Sequence, residues 1–572
     1  MTNATLPFPE ALAASLARHG VRVMFGQSIP SALYLATPEF GIRQIAYRAE
    51  NAGGTMADGF ARISGKIGVV TAQNGPAATL LVAPLAEALK VSVPILAIVQ
   101  DVARGNAERN AFQELDHLAL FSGVTKWVKR IDLAARIDDY VDMAITAATS
   151  GRPGPAVLLV PLDLFDETVS VTQREAQLGH YPLDRMAPDP THVERAADLL
   201  ASAKHPLVVA GGGVHLSHAS RALSQLQNAA HLPVATTVMG KGAVGEFHPL
   251  SLGVIGYVMG KKARSHHLRP IVERADVVLL VGSRTNQNGT DSWSMFPPGK
   301  IFIHLDVDGL EIGRNYESVR MAGDAKLGLE ALTAALAKRD LSALAARRPA
   351  LEGEISDGLA QHACDIRPLI TSRRAPMRPE RVMAEIAEAM TPDTIMVADA
   401  SYASIWIANG IPAQVAWQRF LTPRGIAGLG WGLPLALGAK VAQPDAPVIC
   451  VAGDGGFAHC WAELETARRL NLPVVLIVLN NQVLGYQKHA ELARYGAHTD
   501  AVHFSPVDHA AIAAACGCIG VRVEHPENFA RALRMALQSD RLTLIDVMTD
   551  PDAHPPITVF EGKLGPGTLG QD

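Results

Sequence analysis

The chain has 572 residues, 48% of them hydrophobic and 19% charged, which is ample for several large buried cores. Its net charge of -5 comes without the clustered basic footprint that nucleic acid or an anionic membrane calls for, so both are excluded as partners. No run approaches the roughly 18 apolar residues of a membrane span.

Residues 2–21 carry Glu10 and Arg18 within an Ala/Leu helix pattern and do not read as a signal peptide. Short apolar runs then alternate with helical patterns, the mark of parallel α/β architecture. Strands are predicted at 21–25, 42–47, 67–72, 94–99 and 156–160, and a polar, Pro-containing linker at 173–190. A middle block has strands at 207–210, 234–238, 277–281 and 301–307. A charged, helix-like connection at 341–379 leads to strands at 394–397, 448–451, 474–479, 519–523 and 543–547, and a Gly/Pro-rich tail at 551–572. The expected fold is three doubly wound parallel-sheet α/β domains, at 1–172, 191–340 and 380–550. The five cysteines, Cys364, Cys450, Cys460, Cys516 and Cys518, are few, odd in number and mostly in apolar surroundings, which favours reduced thiols in a cytoplasmic protein. Cys516-Gly517-Cys518 is too short a spacing for the usual zinc pairs.

The most informative stretch is Gly453-Asp454-Gly455-Gly456-Phe457, followed by a helix-like run, an apolar run at 474–479 and Asn480-Asn481. It reads as strand end, turn, helix and second strand. Glycines let the backbone turn sharply and bring N–H groups against phosphate oxygens, and such a turn opening a helix is an anion site. A diphosphate needs a hard cation beside it, and Mg²⁺ prefers carboxylate, amide and carbonyl oxygens. Asp454 and Asn481, 27 residues apart, supply two. About 400 residues earlier stands Tyr47-Arg48-Ala49-Glu50-Asn51-Ala52-Gly53-Gly54, continuing to Ala57-Asp58-Gly59-Phe60-Ala61-Arg62. Taken alone, Glu50 reads as a helix cap at a positive dipole end.

Together the two segments resemble the signature of the thiamin diphosphate superfamily that includes acetolactate synthase, pyruvate oxidase, benzaldehyde lyase and 2-hydroxyacyl-CoA lyase. The likeness runs over nearly the whole chain, as pyrimidine-binding, central and diphosphate-binding domains in that order. It implies thiamin diphosphate and Mg²⁺ as cofactors, with Asp454, Asn481 and the Val483 carbonyl as metal ligands. It also implies that Glu50 hydrogen-bonds the aminopyrimidine and favours the imino tautomer, whose nitrogen takes the C2 proton. Leu429, in Gly425-Ile426-Ala427-Gly428-Leu429-Gly430, matches the bulky apolar fulcrum that keeps the cofactor bent. Ser401, Tyr402, Gly455, Gly456 and Phe457 complete the expected cofactor contacts. In that family the pyrimidine domain of one subunit meets the diphosphate domain of another, so a homodimer or homotetramer is implied.

Relatives use the middle block for FAD, for ADP-type ligands or for nothing. Ala210-Gly211-Gly212-Gly213-Val214 has the look of a phosphate cradle, and packing alone produces the same look. Arg284 and Asp306 stand at the carboxyl ends of predicted strands, where they suit a nucleotide phosphate and a ribose hydroxyl; surface solvation is an equally good account. Arg152 matches a segment that contacts the adenine nucleotide in oxalyl-CoA decarboxylase-like relatives. ADP or CoA is expected there ahead of FAD.

For the reaction, Ala111-Phe112-Gln113-Glu114 resembles both acetolactate synthases and 2-hydroxyacyl-CoA lyases. After Asn481 the chain has Gly485-Tyr486-Gln487-Lys488-His489-Ala490-Glu491, with alanine where an acetolactate synthase carries an acceptor-pocket tryptophan. The loop Gln27-Ser28-Ile29-Pro30 and Glu491 resemble 2-hydroxyacyl-CoA lyases, the actinobacterial-type 2-hydroxyisobutyryl-CoA group in particular. The expected activity is cleavage of a 2-hydroxyacyl-CoA to formyl-CoA plus an aldehyde or ketone, with Glu491 and Gln113 in proton work. The alternative is an acetolactate synthase-like carboligase or decarboxylase acting on free 2-oxo acids.

Overall fold

The computed structural model describes residues 4–171 and 174–564, and it contains three six-stranded parallel sheets. Thr172 and Gln173, at the boundary of the expected first linker, lie outside the described residues, as does 565–572 of the expected tail. The N-terminal sheet runs in the order Arg43–Ile45, Val23–Phe25, Gly68–Ala72, Ile95–Asp101, Ala156–Pro161, Trp127–Arg130. The central sheet runs Ser251–Val254, Val234–Thr236, Pro206–Ala210, Val277–Val281, Ile301–Asp306, Ser318–Ala322. The C-terminal sheet runs Phe420–Leu421, Ile395–Ala398, Val448–Gly453, Val475–Asn480, Thr543–Met548, Ile519–Val523. Their inner strands are mostly apolar because helices cover both faces, with Thr71, His304 and Asp546 among the buried exceptions. Among the described residues no helix is long and apolar enough to cross a membrane.

Six strands, four of them at sheet edges, escape the sequence pattern. Trp127–Arg130, Ser251–Val254, Ser318–Ala322 and Phe420–Leu421 are short, and an antiparallel pair, Ala4–Pro7 with Thr168–Val171, ties the start of the chain to the end of the first sheet domain. The connection expected at 341–379 is mostly one 29-residue helix, Ser342–Ile370. It buries Leu344, Ile355, His362 and Leu369, and its Leu344 and Ile355 join the two central-domain cores, so it straps that domain.

The N- and C-terminal domains share one hydrophobic cluster, centred where helix Glu50–Ser64 packs on helix Gly432–Ala442. Their backbones touch: a Cβ on Gly59 would sit 2.3 Å from the Leu435 carbonyl oxygen, and one on Gly438 would sit 2.0 Å from that of Met56. The buried Arg62–Asp58 pair, 2.6 Å apart, adds a bond from Arg62 to the Thr422 carbonyl. The Ala57-to-Arg62 motif therefore serves this domain contact, and removing either charge would strand the other in the interior.

Buried imidazoles make the fold acid-sensitive. Burial pushes His215 down to about 3 and His304, His362 and His489 down to about 4. Their folded-state values lie below the unfolded one, so from pH 6.5 down to about 4 the unfolded chain binds protons that the native one refuses. Stability then falls as pH falls. Burial raises Asp306 and Asp454 to about 6, and Asp58, Asp399, Glu463 and Asp546 in the same direction, which works the other way. Five further imidazoles, His19, His218, His248, His509 and His554, are also held down, and the lowered histidines outnumber the raised acids. Urea unfolding at pH 7, 6 and 5 is expected to lose up to about 3 kcal/mol per pH unit. Stability that is flat or rising on acidification would contradict this.

Candidate active site

Strands Val448–Gly453 and Val475–Asn480 pair in parallel with Gly453 opposite Leu479, which brings their carboxyl ends level. Asp454 and Asn481 follow directly and line one cleft of about 580 Å³, the position where ligands bind open α/β sheets. The Asp454 carboxylate accepts the Gln482 N–H at 2.8 Å, and the Asn481 side-chain oxygen accepts the Val483 N–H at 3.2 Å. Gln482 adopts φ 60° between them, a strained conformation that this bonding holds. Asp454 is buried, and desolvation pushes it up to about 6 despite the N–H groups of Gln482 and Gly455. Gly455, Gly456, Ser401, Tyr402, Leu429 and Val483 line the same cleft. Phe457, expected as a cofactor contact, does not line it: its ring is fully buried in the core shared by the N- and C-terminal domains. Gly456 has no room for a side chain, since a Cβ would meet an Asp399 carboxylate oxygen at 2.2 Å. Helices Asp454–Phe457 and Tyr402–Gly410 both start at the cleft wall, where spare N–H groups favour a phosphate.

Glu50 and Gln113 do not line this cleft, whose walls come from the central and C-terminal domains. Glu50 opens helix Glu50–Ser64, yet it does not cap it. Just ahead of the helix, Glu463 of the C-terminal domain anchors the chain: its carboxylate accepts the N–H groups of Arg48 at 3.1 Å and Ala49 at 3.0 Å. Among the described residues no donor reaches the Glu50 carboxylate. Gln113, at φ 58°, sits against Gly75, and its side-chain oxygen is buried without a partner.

Residues 8–120 match "Thiamine pyrophosphate enzyme, N-terminal TPP binding domain", residues 193–332 match its central domain, and residues 399–547 its C-terminal TPP binding domain. The chain belongs to the thiamine pyrophosphate enzyme family. It is 32% identical over 97% of its length to a probable acetolactate synthase large subunit of Methanocaldococcus jannaschii, covering 94% of that protein. It is 32% identical to an acetolactate synthase large subunit of Parasynechococcus marenigrum, with 95% of this chain and 87% of that one covered. Against the acetolactate synthase isozyme 2 large subunit of Escherichia coli it is 30% identical, with 94% of both chains covered.

The residues present fit this family's cofactor. A buried carboxylate whose ionisation is resisted calls for a cation, and oxygens from Asp454, Asn481 and the Val483 carbonyl suit Mg²⁺. Glu463, Asp399 and Glu87 are structural participants that the sequence reading passed over. Asp399 had one visible signal, an acid at the carboxyl end of strand Ile395–Ala398.

In this thiamine pyrophosphate enzyme a second cavity lies between the N-terminal and central domains, lined by Arg152, Arg284, Asp306 and Gly211 to Gly213. Arg152 is already committed, to Asp308 at 3.2 Å, Glu311 at 3.4 Å and the Ser92 hydroxyl at 2.8 Å. Arg284 has no hydrogen-bond or ion-pair partner among the described residues, and burial followed by the nearby Arg152 disfavours its charge. The glycine run has a packing reason as well, because a Cβ on Gly211 would meet the Gly282 carbonyl oxygen at 2.3 Å. Arg424 and Asn288 line both cavities.

Glu491 stands apart from the other expected site residues. It lies on helix Gly485–Tyr495 outside the cleft lining, where its carboxylate accepts the Thr499 N–H at 2.7 Å and the Gln487 amide at 2.9 Å. Those bonds hold its ionisation below the usual glutamate range, the Thr499 N–H foremost. A carboxylate so satisfied braces the 496–499 turn and makes a poor base.

Proposed function

We propose that this enzyme is an acetolactate synthase-like carboligase or decarboxylase that takes free 2-oxo acids, using thiamin diphosphate and Mg²⁺. The observation that carries this is the roughly one-third identity to acetolactate synthase large subunits over almost the whole chain, joined to a cleft bearing Asp454, Asn481 and Leu429. When bound, the cofactor supplies a carbon nucleophile for the 2-oxo acid carbonyl and a sink for the electron pair left by decarboxylation. Asp454, Asn481 and the Val483 carbonyl hold the cation, and the two helix N-termini hold the diphosphate. Leu429, on the cleft wall, would be the apolar side chain against the bound cofactor. Glu50 keeps a proton at the pyrimidine ring nitrogen.

Because Glu50 and Gln113 lie outside the cleft of their own chain, the site is completed by the N-terminal domain of a second copy. Exposed Phe112 and Leu115 beside Gln113, at 82% and 44%, support such an interface in a homodimer or homotetramer. The unpaired Arg284 supports an anionic nucleotide group, of ADP, CoA or FAD, in the second cavity. Five unpaired cysteines support a cytoplasmic setting.

A 2-hydroxyacyl-CoA lyase remains the second reading on one observation, Ala490 in place of a bulky acceptor-pocket residue. Its proposed base, Glu491, is occupied elsewhere. The assay offers pyruvate, and separately 2-hydroxyisobutyryl-CoA, to wild type and Glu491→Gln. Acetolactate or decarboxylation product is expected from pyruvate, with kcat changed less than about 3-fold in the variant. Formyl-CoA as the sole product, with kcat collapsing in Glu491→Gln, would overturn the proposal in favour of the lyase.

A further inference from the structure

Between Arg424 and helix Gly432–Ala442 runs the loop that presents Leu429, and two buried carboxylates hold most of its backbone. Glu87, 3% exposed on helix Val82–Val91 of the N-terminal domain, accepts the N–H groups of Gly425 at 2.7 Å, Ile426 at 2.6 Å and Ala427 at 3.3 Å. Asp399, 1% exposed, accepts those of Gly430 at 3.0 Å, Trp431 at 3.0 Å and Gly432 at 3.2 Å. Gly428 and Leu429 alone lie between the two grips. Ala427 is held at φ 60°, which an L residue adopts only when its surroundings over-determine it. Leu429 is 37% exposed and lines the cleft, so a large apolar side chain is kept facing a cavity that relaxation would let it leave.

We propose that Glu87 is a positioning residue for the reaction: from across the domain boundary it fixes the loop so that Leu429 stands against the bound cofactor ring. This rests on the thiamin diphosphate reading above. Helix Val82–Val91 buries its apolar side chains without help from this carboxylate, and a buried acid is costly unless donors are aimed at it. The Asp58–Arg62 pair and Arg284 are charged groups near Glu87, and none of them hydrogen-bonds it. Three charge-assisted bonds from consecutive N–H groups make an anion cradle, here with the anion supplied by the neighbouring domain. The geometry of Leu429 thereby depends on the docking of the N-terminal and C-terminal domains.

Glu87→Gln keeps the shape but loses the charge and turns an amide NH₂ toward backbone donors. In the cofactor-free protein, amide hydrogen exchange at 425–429 is expected to quicken at least about 10-fold while exchange in neighbouring strands is unchanged. On adding thiamin diphosphate and Mg²⁺, the near-ultraviolet circular dichroism of the held cofactor is expected to weaken, and kcat to fall about 10-fold with KM nearly constant. Because Glu87 acts through Leu429, the same change made on top of Leu429→Ala is expected to alter kcat and the dichroism by less than about 2-fold. Glu87→Asp, which keeps the charge one methylene short, is expected to show a smaller loss in the same direction and serves if the glutamine variant does not fold. Unchanged exchange, or equal losses in the wild-type and Leu429→Ala backgrounds, would overturn the proposal. If dichroism and exchange respond as expected while no 2-oxo acid is turned over, the substrate reading falls and the clamp stands.

Discussion

Asp454→Ala is expected to remove Mg²⁺-dependent binding of thiamin diphosphate. The carboxylate is the one anionic group among the three proposed metal ligands, and it is buried where little water can replace it. Truncating one partner of a buried charge pair costs about 2–5 kcal/mol, so affinity measured by calorimetry should fall roughly 30- to several-thousand-fold. The apo protein should keep its stability within about 1 kcal/mol, because the lost acceptor for the Gln482 N–H is offset by removing a desolvated carboxylate. Cofactor should then raise the Tm of wild type and leave that of the variant unmoved. Equal affinities in the two proteins would remove Asp454 from the metal site.

Glu50→Gln is expected to spare binding and strike turnover. Glutamine has nearly the same shape, and Glu463 anchors Arg48 and Ala49 at the entry to helix Glu50–Ser64 in either case, so folding and domain docking should persist. What disappears is a carboxyl able to keep and return a proton at the pyrimidine ring. Positioned acid–base work contributes about 10²–10⁴-fold, so kcat should drop by that factor with cofactor affinity and KM little changed. Activity near wild type would refute the role.

The parallel sheets were legible because their inner strands are mostly apolar, and the cleft because the carboxyl ends of adjacent strands carry Asp454 and Asn481. Edge strands such as Trp127–Arg130 were not, being short and mixed in polarity. The two carboxylates that bridge the N- and C-terminal domains were silent for another reason. Glu463 meets Arg48 across 415 residues of sequence, and Glu87 meets Gly425 across 338. Periodicity carries no trace of such pairings. Glu491 shows the converse: its charge was visible in the sequence, while the nearby Thr499 N–H that occupies it was not.

The proposed site takes its metal and diphosphate side from one chain and Glu50 from a second copy. Co-expression of Glu50→Gln chains with Asp454→Ala chains tests it most directly. In a mixed dimer, Glu50 of the Asp454→Ala chain meets Asp454 of the Glu50→Gln chain, giving one intact site and one doubly altered site. With random pairing about a quarter of wild-type pyruvate turnover should return, from two variants each nearly inactive alone. Activity of the mixture no greater than that of the two variants separately would contradict a site shared between copies.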